Sequence, residues 1–204
     1  MKHGASPADK PLTILLVRHA EPVKPGTAGF DEFTRPLTEK GLRDADRLCE
    51  THASVWIDAA YSSPYMRARQ TIEPLADART IEIATIDDLR ERVLSLGEAP
   101  DWRKHLRRSW EDFDYALPGG ESGRVAQARV MRVLDTIAMR HAGGVVIVAS
   151  HGNLIALALH AIMPRVVDYA FWEAIPMPAV FTLARESGRW RVQASVTADG
   201  SRTF

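Results

Sequence analysis

Two short runs, Leu12–Val17 and Val145–Ala149, are apolar without alternating between apolar and polar positions. A strand with one face in water alternates; a strand that does not is covered on both faces, as in a parallel sheet flanked by helices. Each run gives way at its carboxyl end to a histidine, in Arg18-His19-Ala20 and in Ser150-His151-Gly152. If both strands lie parallel in one sheet, these ends share an edge, and two histidines and an arginine converge there. A strand end is a rigid mount opening onto a loop, which is where α/β proteins place reactive groups.

The remaining pattern alternates strands with helices. Glu21–Pro36, with three prolines and two glycines, reads as a long loop of the kind that is often functional. A helix opens at Leu37-Thr38-Glu39 and runs to about His52, with Thr38 as N-cap and Leu42, Ala45, Leu48 and Cys49 facing inward. Ala59–Ser62 is a short strand, and Pro64 is suited to be the first residue of a helix reaching Ala78. Ile81–Ala84 is another strand. The segment near 93–118 carries Trp102, Trp110, Phe113 and Tyr115 among charges and reads as a helical insertion over one side of the site. Gly123–His141 is an amphipathic helix with Val125, Ala128, Val130, Met131, Leu134, Ile137 and Ala138 inward. Asn153–Met163 is an apolar helix, and Val180–Leu183 with Trp190–Val196 close the sheet. The expected fold is a three-layer α/β/α sandwich with a mostly parallel central sheet.

The 204 residues suffice for one domain with a sizeable core, expected over 11–204 after a disordered lead-in at 1–10. Lys+Arg and Asp+Glu are equal at 26 each, so no net field draws the chain to nucleic acid or a charged membrane. A phosphate site would have to be local. Cys49 is the only cysteine, which excludes an internal disulfide framework and a multi-cysteine metal site. There is neither a run long enough for a membrane span nor an apolar signal core at Met1–Lys10, so a cytoplasmic protein is expected. His3, His52, His105, His141 and His160 lack metal-ligand spacing and read as surface or packed residues. No cofactor or metal is expected, and the sequence leaves the oligomeric state open.

Four pieces fall at the ends of these elements: Arg18-His19, the Ser62–Thr71 segment with Arg67 and Arg69, Leu89-Arg90-Glu91, and Ser150-His151-Gly152. Helix N-termini offer unpaired N–H groups, and guanidinium forks match phosphoryl oxygens, so the set favours a phosphate. Arg69, two positions beyond Arg67, projects elsewhere and reads as a salt-bridge residue. Glu91 competes with Asp87, Asp88 and Glu98 for an acidic role. Glu121 either contacts the site or orients the Gly119-Gly120 turn, and Glu21 and Asn153 are candidates for the pocket rim.

Arg18-His19-Ala20-Glu21 resembles the Arg-His-Gly signature of the histidine phosphatase (phosphoglycerate mutase-like) superfamily, with alanine in the glycine position. Ser62-Ser63-Pro64 through Thr71 resembles its second motif. Pro36–Gly41, Leu89-Arg90-Glu91, Gly119–Ser122 and Ser150–Asn153 follow in the family's order. The resemblance spans Leu12 to Leu183 and implies His19 as nucleophile, Glu91 as acid, and Arg18, Arg67 and His151 as the phosphate pocket. The expected reaction is metal-independent hydrolysis of a small phosphorylated metabolite through a phosphohistidine. Mutase-type transfer and a silent phosphate-binding or interaction domain are the alternatives. The mutase fingerprint after the histidine is replaced here by Ala20–Pro25, which points towards hydrolysis. Substrate choice is expected to rest on the 21–36 loop and the 93–118 insertion.

Overall fold

Leu12–Arg18 forms the first strand, β1, of a computed structural model that describes residues 11–197 apart from Glu98. The expected lead-in at 1–10 lies outside the described residues. In chain order there follow α1 (Glu39–Thr51), β2 (Ala59–Ser62), α2 (Met66–Asp77), β3 (Ile83–Thr85) and a 3₁₀ turn at Asp87–Leu89. Then come α3 (Trp102–Glu111), α4 (Gly123–Arg140), β4 (Val145–Ser150), α5 (Gly152–Ile162), α6 (Tyr169–Ala174), β5 (Ala179–Glu186) and β6 (Arg189–Thr197). The six strands are ordered β3-β2-β4-β1-β5-β6. β1 to β4 run parallel, and β5 and β6 add an antiparallel edge.

The unbroken apolar runs are explained by burial on both faces. Ile14 and Leu16 of β1, with Val146 and Val148 of β4, pack against Val130 and Leu134 of α4 and Ile155 of α5. The alternate residues Leu15, Val17, Ile147 and Ala149 pack on the other face against Leu48 of α1 and Ile72 and Leu75 of α2. Fully burying each such aliphatic side chain stabilises the fold by roughly 1.5–3 kcal/mol. A register with β1 one residue out of step would exchange its two faces. The register that forms sets Arg18 opposite Ser150, and His19 N–H donates to Ser150 O at 3.1 Å. The two histidine-bearing strand ends therefore emerge side by side in the middle of the sheet.

Several local expectations are corrected. Thr38 does cap α1, its hydroxyl accepting from Gly41 N, but Leu42 is exposed and Asp44 is buried, paired with Lys40. Pro64 precedes α2 instead of opening it. Tyr65 is the N-cap, and its N–H donates to Ser63 Oγ at 3.3 Å, a turn that delays the helix. β3 begins at Ile83 because Ile81 N–H is spent on Ala76 O at the end of α2. On α4, Val125 and Ala128 face solvent while Ala126 and Arg129 face inward. Arg129 turns the helix: its guanidinium pairs with both oxygens of Glu121 at 2.7 Å and donates to Asp88 O and Arg90 O. The short helix α6, which the sequence reading lacks, is capped by Asp168 Oδ1 accepting from Phe171 N at 2.8 Å.

Candidate active site

His19 sits one residue past β1 and is 7% exposed. Its Nδ1 lies 2.8 Å from its neighbour's carbonyl, Ala20 O. A carbonyl only accepts, so Nδ1 carries the ring proton and Nε2 keeps its lone pair. Burial is the main cause that holds this imidazole down to about 3, and the nearby charges of Arg67, Arg18 and Arg35 act in the same direction. His19 is thus neutral at ordinary pH. Ala20 N–H donates to Thr71 Oγ1 at 2.9 Å, tying the loop after β1 to α2.

His151 is fully buried at the start of α5, its ring centroid 5.1 Å from that of His19. Its Nε2 is 2.7 Å from Ser63 Oγ, and burial again pushes the ring well below its usual range, helped by His19 and Arg67. Nδ1 is buried with no hydrogen-bond partner among the described residues. Arg18 is anchored through Nη1 to Ile175 O, beyond the end of α6. Gly152 makes room for it. A Cβ there would lie 2.9 Å from Arg18 Cζ and Nε. Burial lowers the Arg18 pKa, and Glu91 counteracts the shift.

Glu91 follows the 3₁₀ turn and reaches the N-terminus of α5. Its Oε1 accepts from Leu154 N at 3.0 Å and Arg92 N at 2.9 Å, and its Oε2 from Asn153 N at 3.1 Å. The helix N-terminus favours a carboxylate in this place. Arg92 and Arg129 brace the segment: Arg92 donates to Ser109 Oγ of α3 and to Glu121 O. The 93–118 segment therefore contains the helix α3, which is bonded one residue away from Glu91. An open cavity of about 510 Å³ is walled by Arg90, Val93, Leu96, Ala116, Ser122 and Val125, and none of the five candidate site residues lines it.

Arg67 comes from the first turn of α2 and is 2% exposed. It lies over the Tyr65 ring at 4.7 Å and donates through Nη1 to Glu32 O at 2.7 Å and through Nη2 to Glu32 Oε2 at 3.1 Å. Tyr65 packs edge-on against both His151 and Phe33.

The five sequence-predicted residues Arg18, His19, Arg67, Glu91 and His151 are thus brought to one edge of the sheet. Arg69 is exposed and makes no ion pair among the described residues, against the expectation of a salt bridge. Glu121 has both oxygens on Arg129. Glu21 accepts from Thr38 Oγ1 at 3.3 Å, and Asn153 is buried with neither side-chain polar atom partnered among the described residues. Glu98 and His3 lie outside the described residues. The reading missed Arg35, 8% exposed, whose charge reaches His19 and Arg67; its position directly before Pro36-Leu37-Thr38 was the available signal. It also missed Ser63, Tyr65 and Glu32. Ser63 lies inside a recognised motif, whereas nothing local marks Glu32.

Known proteins can be set beside this geometry. A bifunctional protein of Mycobacterium tuberculosis is 31% identical over 158 residues, which are 73% of this chain and 43% of that protein. The chain thus spans less than half the length of that relative. Phosphoserine phosphatase 1 of Hydrogenobacter thermophilus is 27% identical over 149 residues, covering 69% of this chain and 71% of that one. Among solved structures, YhfR of Bacillus stearothermophilus superposes with a TM-score of 0.72 at 27% identity, over 89% of this chain and 95% of its own. A mycobacterial glucosyl-3-phosphoglycerate phosphatase, solved with inorganic phosphate, shares the fold with a TM-score of 0.73 at 23% identity, over 94% and 100% of the two chains. The family model of the histidine phosphatase superfamily (branch 1) matches residues 14–197, and the chain belongs to that superfamily.

Proposed function

We propose that the protein is a phosphomonoester hydrolase that works without metal through a phosphohistidine on His19. The observation that carries this reading is a neutral imidazole whose Nε2 has no hydrogen-bond partner among the described residues, surrounded by buried donors. Arg18 Nε, Arg35 Nε, Arg67 Nε and His151 Nδ1 are all buried and lack partners among the described residues. Buried polar groups are ordinarily satisfied, so a cluster of spare cationic donors around one nucleophile favours an anion with several oxygens. Ser63 Oγ accepts from Tyr65 N–H and can give its own proton to His151 Nε2. The ring proton of His151 then sits on Nδ1, a neutral donor for a phosphoryl oxygen.

In this reading His19 Nε2 attacks phosphorus in line with the leaving oxygen, and the P–O ester bond breaks as the P–N bond forms. Arg18, Arg67 and His151 stabilise the charge on the equatorial oxygens, the largest expected catalytic term. Glu91 supplies the proton that the leaving alkoxide needs, then takes one from the water that cleaves the phosphohistidine. Its three backbone N–H bonds fix the carboxyl group beside the start of α5. Hydrolysis of p-nitrophenyl phosphate in the presence of chelator, with acid-labile phosphoprotein trapped by rapid quench, tests the reading. His19→Ala is expected to remove both signals, with turnover falling on the order of 10⁴-fold or more. Retention of most activity by His19→Ala would sink it.

Mutase-type transfer remains the second reading, because a probable phosphoglycerate mutase of Yersinia pestis is 28% identical over 165 residues. Incubation with 3-phosphoglycerate separates the two: the hydrolase releases phosphate, and the mutase returns an isomer.

A further inference from the structure

Two arginine–carboxylate pairs in this molecule look alike on paper and differ in construction. Glu121 gives one oxygen to each of two Arg129 nitrogens at 2.7 Å, with only 13% of its side chain exposed. Glu32 uses a single oxygen, Oε2, for both Arg67 Nη2 and Arg35 Nη2, each at 3.1 Å, and 52% of its side chain is exposed. The first is a closed bidentate fork of the kind that fixes geometry. The second is longer, open to water and spread over two guanidinium groups.

The backbone around Glu32 does not depend on its carboxylate. Phe33 O accepts from Met66 N at 2.8 Å, and the Phe33 ring packs on Tyr65. Pro36 O accepts from Val23 N at 2.9 Å, Arg35 Nη1 donates to Val23 O at 2.7 Å, and Gln70 Oε1 accepts from Leu37 N at 2.9 Å. Arg67 Nη1 is held by the Glu32 carbonyl whatever the side chain does. The carboxylate can therefore swing into solvent while the loop and Arg67 stay in place.

We propose that Glu32 is a specificity-determining residue that competes with the phosphoryl group for Arg67 and Arg35, standing where a ligand oxygen is to bind. An entering phosphate displaces the carboxylate, takes over Arg67 Nη2 and gains Arg35 as a further cation. The exchange sets an affinity threshold: a ligand must offer the two guanidinium groups more than the carboxylate does. The residue lowers affinity for inorganic phosphate, the product, along with that for the ester. This rests on the anion site of the proposed function but not on turnover.

The test is binding of inorganic phosphate by titration calorimetry to the wild type, Glu32→Ala and Glu32→Gln, with KM and kcat for p-nitrophenyl phosphate alongside. Competition predicts that Glu32→Ala binds phosphate about three- to fivefold more tightly, the range of a partly exposed ion pair. KM falls in parallel, and kcat changes little. If Glu32 only positions Arg67, the sign reverses and both constants rise; that result, or no change in either, overturns the proposal. Glu32→Gln keeps the volume and guards against misfolding, and its shift should have the same sign. If the wild type binds phosphate but hydrolyses no ester, the hydrolase reading fails while the calorimetric comparison still decides this one.

Discussion

The sheet edge and the loop that faces it fix their charged groups by different means. On the sheet side, His19 is tied to a carbonyl of its own loop, Arg18 to Ile175 O, and Glu91 to three backbone N–H groups. These partners are all main-chain atoms, at helix ends or in the loop residues next to the groups they hold. On the loop side, Arg67 and Arg35 each keep one nitrogen on a main-chain carbonyl of the 21–36 segment, but they also share its half-exposed Glu32 carboxylate. Under the proposed function the contrast is a division of labour: main chain holds His19, Arg18 and Glu91, while the exchangeable Glu32 carboxylate governs what reaches Arg67 and Arg35. Preorganised groups need no rearrangement during the reaction, and exchangeable ones discriminate before it.

The largest effect that would break the comparison concerns Glu91. Glu91→Gln should slow hydrolysis of alkyl phosphates by about 10²–10⁴-fold while leaving aryl esters such as p-nitrophenyl phosphate much less affected, because a good leaving group needs little protonation. The amide also turns an N–H₂ group towards α5 N–H donors, so a modest loss of melting temperature is expected beside the kinetic effect. Steady-state rates over a series of leaving-group acidities check this. An equal loss across the series would mean that Glu91 holds the α5 N-terminus and transfers no proton.

Gly152→Ala sharpens the contrast at smaller magnitude. The added methyl would press on Arg18 Cζ and Nε at 2.9 Å and on Nη2 at 3.1 Å. These atoms form the far end of a flexible side chain, so the fold should tolerate the change, whereas the guanidinium should not keep its place. A displacement of this size is expected to cost about tenfold in kcat/KM with little change in melting temperature. The sheet-side substitution thus lowers performance, while the loop-side Glu32→Ala raises phosphate affinity. Opposite signs from two small changes around one pocket are what the division of labour requires. An unchanged kcat/KM in Gly152→Ala would show that the position of Arg18 is not critical.

Much of the sheet side was legible in the sequence, and little of the loop side was. The runs ending at Arg18-His19 and Ser150-His151 carry their own message, because two-sided burial leaves an unbroken apolar pattern and parallel register then aligns the strand ends. Thr38 could be read as a cap because capping is local. Arg129 could not be read, since a buried arginine on a helix has no periodic signature and its partner Glu121 sits before the helix starts. That pair turned α4 so that Val125 and Ala128 face water. Arg35 and Tyr65 stood in or next to quoted motifs, but their pairing with Glu32 and Phe33 depends on how a long loop folds back onto α2, a long-range contact that no spacing in the sequence encodes. The helix α6, which carries the chain to the Ile175 carbonyl that holds Arg18, was legible in principle from Asp168 as a cap.

The smallest expected effect is the near absence of one. An unperturbed histidine titrates near 6.5, and a nucleophilic imidazole in water would lose activity as it becomes protonated below that value. Burial and the surrounding arginines hold His19 down to about 3. Once the substrate's own ionisation is accounted for, protonation of His19 should therefore contribute no acid limb to kcat/KM between about pH 7 and pH 5. Stability should behave otherwise. In the unfolded chain both His19 and His151 take up protons as pH falls through about 6.5, while the folded state keeps them neutral, so the unfolded state binds more protons. The contribution of the two rings to stability is complete above that pH and is lost progressively towards the folded value near 3 for His19. Melting temperature should accordingly decline over this interval, and replacing His151 with a neutral isostere such as Gln should flatten the decline. A pH–rate profile with an acid limb between about 6 and 7 would mean that His19 exchanges with water in the free enzyme, and the sheet edge would then be no more preorganised than the loop across from it.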